Sequence, residues 1–279
     1  MRRLLALALA CSLVLSFAHP ALTAVAFAEA PDEAPLEQAP NVRPYTSAHY
    51  DLSGTVKYEG VTIDILGEGD IQLPDKVRGT YKFGPFTAEV VVVDNAVFTR
   101  TRFEPTWSRQ TIPGELNTGA VSATDLARFS RDIRRVGVEM VGGVSTEHYT
   151  AAIDVQSLLA PIYPTVREPE AREALRSLRA TYDIWVGTSD RLVRQERLLM
   201  TIQLPSIEPG GDPGMASIDL TTAYSRLNEP VSIAAPPRND PTPIRTPRPD
   251  VIPVTGPAGA PLTGRPGAPS QAPAQLPRR

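Results

Sequence analysis

The sequence predicts an α+β protein built on about ten antiparallel strands, with two or three helices inserted between hairpins. Three observations lead there. After Tyr45, apolar residues recur with period two in runs that stop at Gly, Pro, Asp or Asn. Helical spacing of apolar residues is confined to a few short segments. Strand–helix–strand alternation is absent, which argues against a parallel nucleotide-binding sheet.

The chain has 279 residues and a net charge of −3, spread unevenly. Arg2-Arg3 and the apolar run Leu4–Phe17 read as the first two parts of an export signal. Ala26-Phe27-Ala28 before Glu29 fits the small-x-small site of signal peptidase, so residues 1–28 are expected to be removed. Ser16-Phe17-Ala18 and Ala24-Val25-Ala26 offer earlier cuts. Ala8-Leu9-Ala10-Cys11 reverses the usual lipobox order at its first two positions, which argues against an acyl anchor on Cys11. His19-Pro20 argues against an uncleaved span from Leu4 to Ala28. The single cysteine would leave with the signal, and disulfides, thiol nucleophiles and zinc–cysteine sites with it.

Residues 29–44 hold four acids and prolines at 31, 35, 40 and 44, while residues 235–279 hold six arginines and 13 of the 29 prolines. Neither stretch can bury enough apolar surface to offset its ordering entropy. They are expected to be disordered, an acidic spacer and a basic tail. Residues 45–234, the folded part, carry 25 acids against 19 bases. An acidic domain without a basic stripe argues against a nucleic-acid partner.

Within that part the elements follow in order. Val61, Ile63 and Ile65 alternate with Thr62 and Asp64, and Ile71 and Leu73 lead into the turn at Pro74-Asp75. Lys76–Phe83 stops at Gly84-Pro85. Phe86, Ala88, Val90 and Val92 share a face, Asp94-Asn95 is the next turn, and Val97–Phe103 leads to a loop with Trp107. Ser122 or Thr124 can cap a helix over 124–136, with Leu126, Phe129, Ile133 and Val136 as its stripe and Arg128, Arg131, Arg134 and Arg135 opposite. Val136–Val141 and Val144–Ile153 flank a Gly142-Gly143 hairpin. Asp154–Leu159 is a short helical turn, and Glu168-Pro169 opens another helix with Ala171, Leu175 and Leu178 on one side. Thr181–Gly187, Leu192–Leu204 and Met215–Leu227 complete the strands.

Little in these elements suggests bond-making chemistry. His49 and His148 lie in separate strands without the i, i+4 companion of a metal site, so no metal and no cofactor are expected. Gly-x-Ser-x-Gly elbows, phosphate-binding loops and zinc-protease helices are absent. Gly67-Glu68-Gly69-Asp70 reads as a solvated hairpin bend rather than a carboxylate dyad. His148 shares a polar strand face with Thr146 and Thr150 and reads as exposed. The protein is therefore expected not to be an enzyme. A sheet of this size coils through its own twist. It then either closes on its side chains as a filled barrel or stays open, with helices across its concave face and a cavity between.

The segment Gly137–Leu159, GVEMVGGVSTEHYTAAIDVQSLL, resembles the hairpin of the LppX/LprG lipoproteins within the LolA/LolB-like group. There a G-x-E-x-V-x-G-V-x-T-x-H-Y stretch precedes a short helix. Other fragments agree in order: Gly67-Glu68-Gly69 with Ile71 and Pro74-Asp75, Trp107, then Ile184-Trp185-Val186 and Asp190-Arg191-Leu192-Val193-Arg194. Together they span residues 48–227. The resemblance implies a strongly bent, open antiparallel sheet, a half-barrel wrapped around the helices, with a hydrophobic cavity for acyl chains. It implies an extracytoplasmic carrier or chaperone of lipids or lipoproteins, or alternatively a sensing or partner-binding module on the same fold. The partner is then a lipid or acylated molecule, with transient membrane contact, and the protein is a monomer. An acyl-chain site needs a continuous apolar lining, since each buried methylene is worth ~0.8 kcal/mol. The candidates are Phe86, Val90, Val92, Phe98, Leu126, Phe129, Ile133, Tyr149, Trp185, Leu198, Met200 and Ile202.

Overall fold

The computed structural model describes residues 40–111, 130–159, 166–204, 211 and 213–237. Eleven strands form one antiparallel sheet: β1 (Ser47–Tyr58), β2 (Val61–Gln72), β3 (Lys76–Phe83), β4 (Phe86–Val93), β5 (Ala96–Thr101), β6 (Ser108–Thr111), β7 (Ser130–Val141), β8 (Val144–Ile153), β9 (Arg179–Gly187), β10 (Val193–Leu204) and β11 (Gly214–Ser225). In space they run β6-β5-β4-β3-β2-β1-β11-β10-β9-β8-β7. Two meanders are therefore joined where the first strand pairs with the last, from His49↔Ser225 to Tyr58↔Ala216. The sheet is open, with β6 and β7 at its two edges. It is the large open antiparallel sheet with few helices that the sequence leads one to expect.

Corners form where the chain can take a left-handed backbone. Glu59-Gly60, Asp94-Asn95 and Gly142-Gly143 all have positive φ, the geometry that joins twisted strands through two residues. Two helices occur among the described residues. In α1 (Val155–Leu159), Asp154 caps the first turn, accepting from Ser157 N at 3.3 Å and Ser157 Oγ at 2.8 Å. α2 (Pro169–Ser177) starts on a proline that needs no hydrogen-bond acceptor there, and it packs Ala174, Leu175 and Leu178 onto the sheet.

Strand alternation divides the apolar residues between two faces. The inner face carries the main core: Tyr50 and Leu52 of β1, Ile65 and Ile71 of β2, Val77 and Tyr81 of β3, Val90 and Val92 of β4. Across the β1–β11 junction it continues through Ile218 and Leu220, Met200 and Ile202, then Tyr182 and Ile184. The outer face has a smaller cluster of Val91, Val93, Trp107 and Ile233, with Phe98 and Val231 against it. Val42 packs on the main core and Arg43 N donates to the Arg191 carbonyl at 2.8 Å, so ordered chain reaches back before residue 45.

Three expectations are corrected. Residues 130–136 are not helical but form the first half of β7, so the helix over 124–136 does not exist there; residues 124–129, with Leu126 and Phe129, lie outside the described part. The register of β7 on β8 slips between Arg131 and Arg134 and again between Arg135 and Gly137, and Asp132 has φ 55°. Each irregularity inserts a residue, which stretches the period of two to three and imitates a helix. Second, Gly67-Glu68-Gly69-Asp70 is no bend but the middle of β2. Its glycines leave room for rings: Tyr81 lies over Gly67, and Tyr50 Oη sits 2.7 Å from where a Cβ on Gly69 would stand. The two tyrosines are fully buried and hydrogen-bonded to each other through their hydroxyls. Third, His148 is not exposed, as its surroundings show.

Candidate functional site

His148 stands on β8 opposite Trp185 of β9, on the outer face, and the two rings stack at 4.2 Å. Its Nδ1 is hydrogen-bonded with Glu139 Oε1 of β7 at 2.9 Å, and its Nε2 with Asp183 Oδ1 of β9 at 3.1 Å. Glu139 Oε2 accepts from Trp185 Nε1 at 3.0 Å. Burial opposes the charged ring, but the bonds and charges of Asp183 and Glu139 outweigh it and raise the His148 pKa. Asp183 is lowered in turn: burial works against its ionisation, and His148 and Thr150 overcome that. The cluster ties three strands together, with His148 of β8 bridging Glu139 of β7 and Asp183 of β9. Among the described residues no group of three or more His, Cys, Asp or Glu is placed to hold a metal ion.

The inner face offers the other candidate. Most of it is closed, yet Tyr149, Ile153, Ala180 and Leu198 are only partly buried where they meet the core. At the β7 edge Val138 and Met140, paired across to Glu147 and Ser145, are more than half exposed. Tyr149 Oη donates to Glu147 at 2.9 Å, and Arg191 and Arg135 approach the same carboxylate at 2.6 and 3.0 Å. The Arg191 and Tyr149 bonds hold Glu147 below the usual carboxylate range.

One polar group stands within the apolar series of β10. Glu196 is in phase with Leu198, Met200 and Ile202 and pairs across to Ile184 and Thr222. Tyr224 Oη donates to its Oε2 at 2.7 Å. Burial raises the Glu196 pKa, and the hydroxyls of Tyr182 and Tyr224 partly offset this. Tyr45 stacks its ring at 5.7 Å from that of Tyr224. Burial, with the Glu196 charge next, pushes the Tyr45, Tyr182 and Tyr224 hydroxyls above their ordinary range.

Of the residues singled out from sequence, Val90, Val92, Met200 and Ile202 lie in the main core, with Tyr149 and Leu198 against it. Trp185 and Phe98 are on the other face. Trp185 alternates with the inward Ile184 and Val186, and Phe98 is paired with the outward Val91. Phe86 is 52% exposed and meets Phe103 edge-on. Ile133 is half-buried on β7 and belongs to neither cluster. Leu126 and Phe129 lie outside the described residues. Sequence reasoning missed Glu196 and its tyrosines, although a glutamate in phase with Leu198, Met200 and Ile202 was a readable signal.

No family model matches the chain, and no curated protein matches it. Among solved structures it is similar to lipoprotein LppX from Mycobacterium tuberculosis, at 19% identity over 68% of this chain and 90% of that one, with a TM-score of 0.40. It is similar to LprF from Mycobacterium bovis at 14% identity, over 72% and 94%, with a TM-score of 0.42. A LolA superfamily protein from Nitrosomonas europaea is similar at 8% identity, over 72% and 93%, with a TM-score of 0.21. Identities and scores this low leave function to the chain's own geometry.

Proposed function

We propose that the chain is an exported cell-envelope protein that binds lipid acyl chains against the inner face of its sheet, as a carrier or chaperone of lipids or lipoproteins. One observation carries this reading. The apolar surface continues across the inner face to partly buried Leu198, Tyr149 and Ile153 and to exposed Val138 and Met140, instead of ending in a closed core. Exposed apolar surface at the margin of a core marks a binding groove. An acyl chain leaving a bilayer needs its methylenes re-buried at ~0.8 kcal/mol each, and such a face can supply that. The lining we propose is Val90, Val92, Tyr149, Leu198, Met200 and Ile202, with Ile133 of β7 and with Leu126 and Phe129 from the chain that precedes it. Export rests on the n-region, the apolar run and the cut before Glu29. No helix among the described residues is long and apolar enough to cross a membrane. The reading assigns no catalytic step.

Native mass spectrometry of protein from its own host tests this directly, and a stoichiometric lipid adduct is expected. A clean apo mass, with no saturable uptake of an apolar fluorophore, would overturn it. That outcome would leave the sensing or partner-binding reading. One observation favours that alternative: β7, twelve residues long, has a paired neighbour on one side only among the described residues.

A further inference from the structure

The chain ahead of β1 crosses the sheet in a definite direction. Followed backwards, Tyr45 lies against Tyr224 of β11, with ring centroids 5.7 Å apart, and Val42 packs on the main core. Arg43 N then donates to the Arg191 carbonyl at 2.8 Å, and the Asn41 carbonyl accepts from Arg191 Nε at 2.9 Å. Arg191 stands in the corner between β9 and β10. Its guanidinium reaches Glu147 of β8 at 2.6 Å, and Glu147 meets Arg135 of β7 at 3.0 Å. The path therefore runs from β11 towards β7, and at Asn41 the Arg191–Glu147 pair bridges the remaining gap to that edge.

β7 presents both apolar and basic surface to a segment arriving there. Val136, Val138 and Met140, at alternate positions, are 55%, 57% and 59% exposed, with Val138 opposite Glu147 and Met140 opposite Ser145. Arg131, Arg134 and Arg135 are exposed on the same strand, against one exposed acid, Asp132. Arg131 and Arg135 are paired with Asp154 and Glu147, and Arg134 is in no ion pair among the described residues. Residues 29–39 hold the complement: Glu29, Asp32, Glu33 and Glu37, no base, and Leu36 among them. From Asn41 back to Glu29 is ~37 Å of extended chain at ~3.1 Å per residue. β7 from Val141 to Ser130 is ~36 Å long, so the two match in length.

We propose that the exposed margin of β7 is the docking surface of the chain's own acidic segment 29–39, with Leu36 on Val138 and Met140 and the carboxylates beside Arg134 and Arg135. The proposal does not rest on the acyl-chain reading. Pro31 and Pro35 have no N–H to give to a strand ladder, so the segment docks through its side chains, as proline permits only at a sheet edge. Exposed ion pairs are individually weak and screened by salt. The contact is therefore reversible, and an acyl chain entering over Val138 and Met140 would displace it.

Disulfide trapping in the full chain tests this, with Cys11→Ser, Ala34→Cys and Val138→Cys. These changes leave Leu36, Met140, the carboxylates and the arginines in place. Asp32→Asn, Glu33→Gln and Glu37→Gln together should slow the cross-link about five- to tenfold, because docking then no longer adds to the local concentration that the tether supplies. Sodium chloride at about 1 M should slow it comparably, and so should Arg134→Glu, an exposed substitution that leaves the core untouched. A cross-linking rate that neither the amides, nor salt, nor Arg134→Glu alters would show the tether alone at work and overturn the proposal. The margin of β7 would then be left to the chain that precedes it or to a separate partner. The rate is read without any lipid, so its failure is distinct from a failure of the acyl-chain reading.

Discussion

A Cβ on Gly69 would lie 2.2 Å from the Arg78 carbonyl oxygen and 2.7 Å from the Gly79 Cα, both backbone atoms that cannot swing aside. On Gly79 the same atom would meet Tyr50 Oη at 2.1 Å, the tip of a buried side chain bonded to Tyr81, rather than backbone. The two positions should therefore respond differently to alanine. Gly69→Ala must push β2 and β3 apart and is expected to cost about 3 kcal/mol or more, at the upper end of overpacking costs. Gly79→Ala should cost about 1–2 kcal/mol as Tyr50 shifts. Urea unfolding of both variants checks the order, and equal losses would refute the packing account. Here the sequence was legible only in part. Glycine marks a bend or a close approach with the same letter, and only the tyrosines on the neighbouring strands decide which.

The edge strand β7 and its neighbours β8 and β9 are held together by His148 between Glu139 and Asp183. His148 is raised above its ordinary 6.5 and Asp183 lowered below its ordinary 3.8, so the clamp contributes in full between those values. It is lost as pH rises through the folded His148 pKa, and on the acid side as pH falls through that of Asp183. His148→Ala, which strands the buried Asp183, is expected to cost about 2–3 kcal/mol near pH 5.5 and clearly less near pH 9. Denaturation at both pH values checks this, and a pH-independent loss would reduce His148 to its stacking on Trp185. At this scale a polar face holding His148, Thr146 and Thr150 was legible, but the partners of His148 were not. Glu139 reaches His148 across the hairpin, but Asp183 comes from β9, a strand whose pairing with β8 no local signal encodes.

At the scale of the molecule, antiparallel pairing and the corners at Asp94-Asn95 and Gly142-Gly143 could be read from period and turn residues, whereas β1, β6 and the corner at Glu59-Gly60 were not singled out. The pairing of β1 with β11 could not be read, because it joins residues far apart in sequence and no local signal encodes a partner. Nor was the outer cluster legible. It arises because the chain after β11 returns across the outer face, where Ile233 is buried with Val91, Val93 and Trp107 and its N–H donates to Gln72 Oε1 at 3.2 Å. This strap fastens the end of one meander to strands of the other. Ile233→Ala is expected to cost about 2–4 kcal/mol, read as a fall in the unfolding midpoint. An unchanged midpoint would show the strap to be dispensable.

The junction of first and last strands also sets a timetable. A chain made or threaded N-terminus first can fold β1 against β2 at once, through the two-residue corner at Glu59-Gly60. The other side of β1 must wait until residues 216–225 have emerged. For that interval a twelve-residue strand presents unpaired amides and carbonyls to whatever is nearby, the situation in which half-made sheets stick to one another. Assembly of the sheet therefore finishes by closing its middle rather than by adding to its rim, and until then each meander is an unfinished surface.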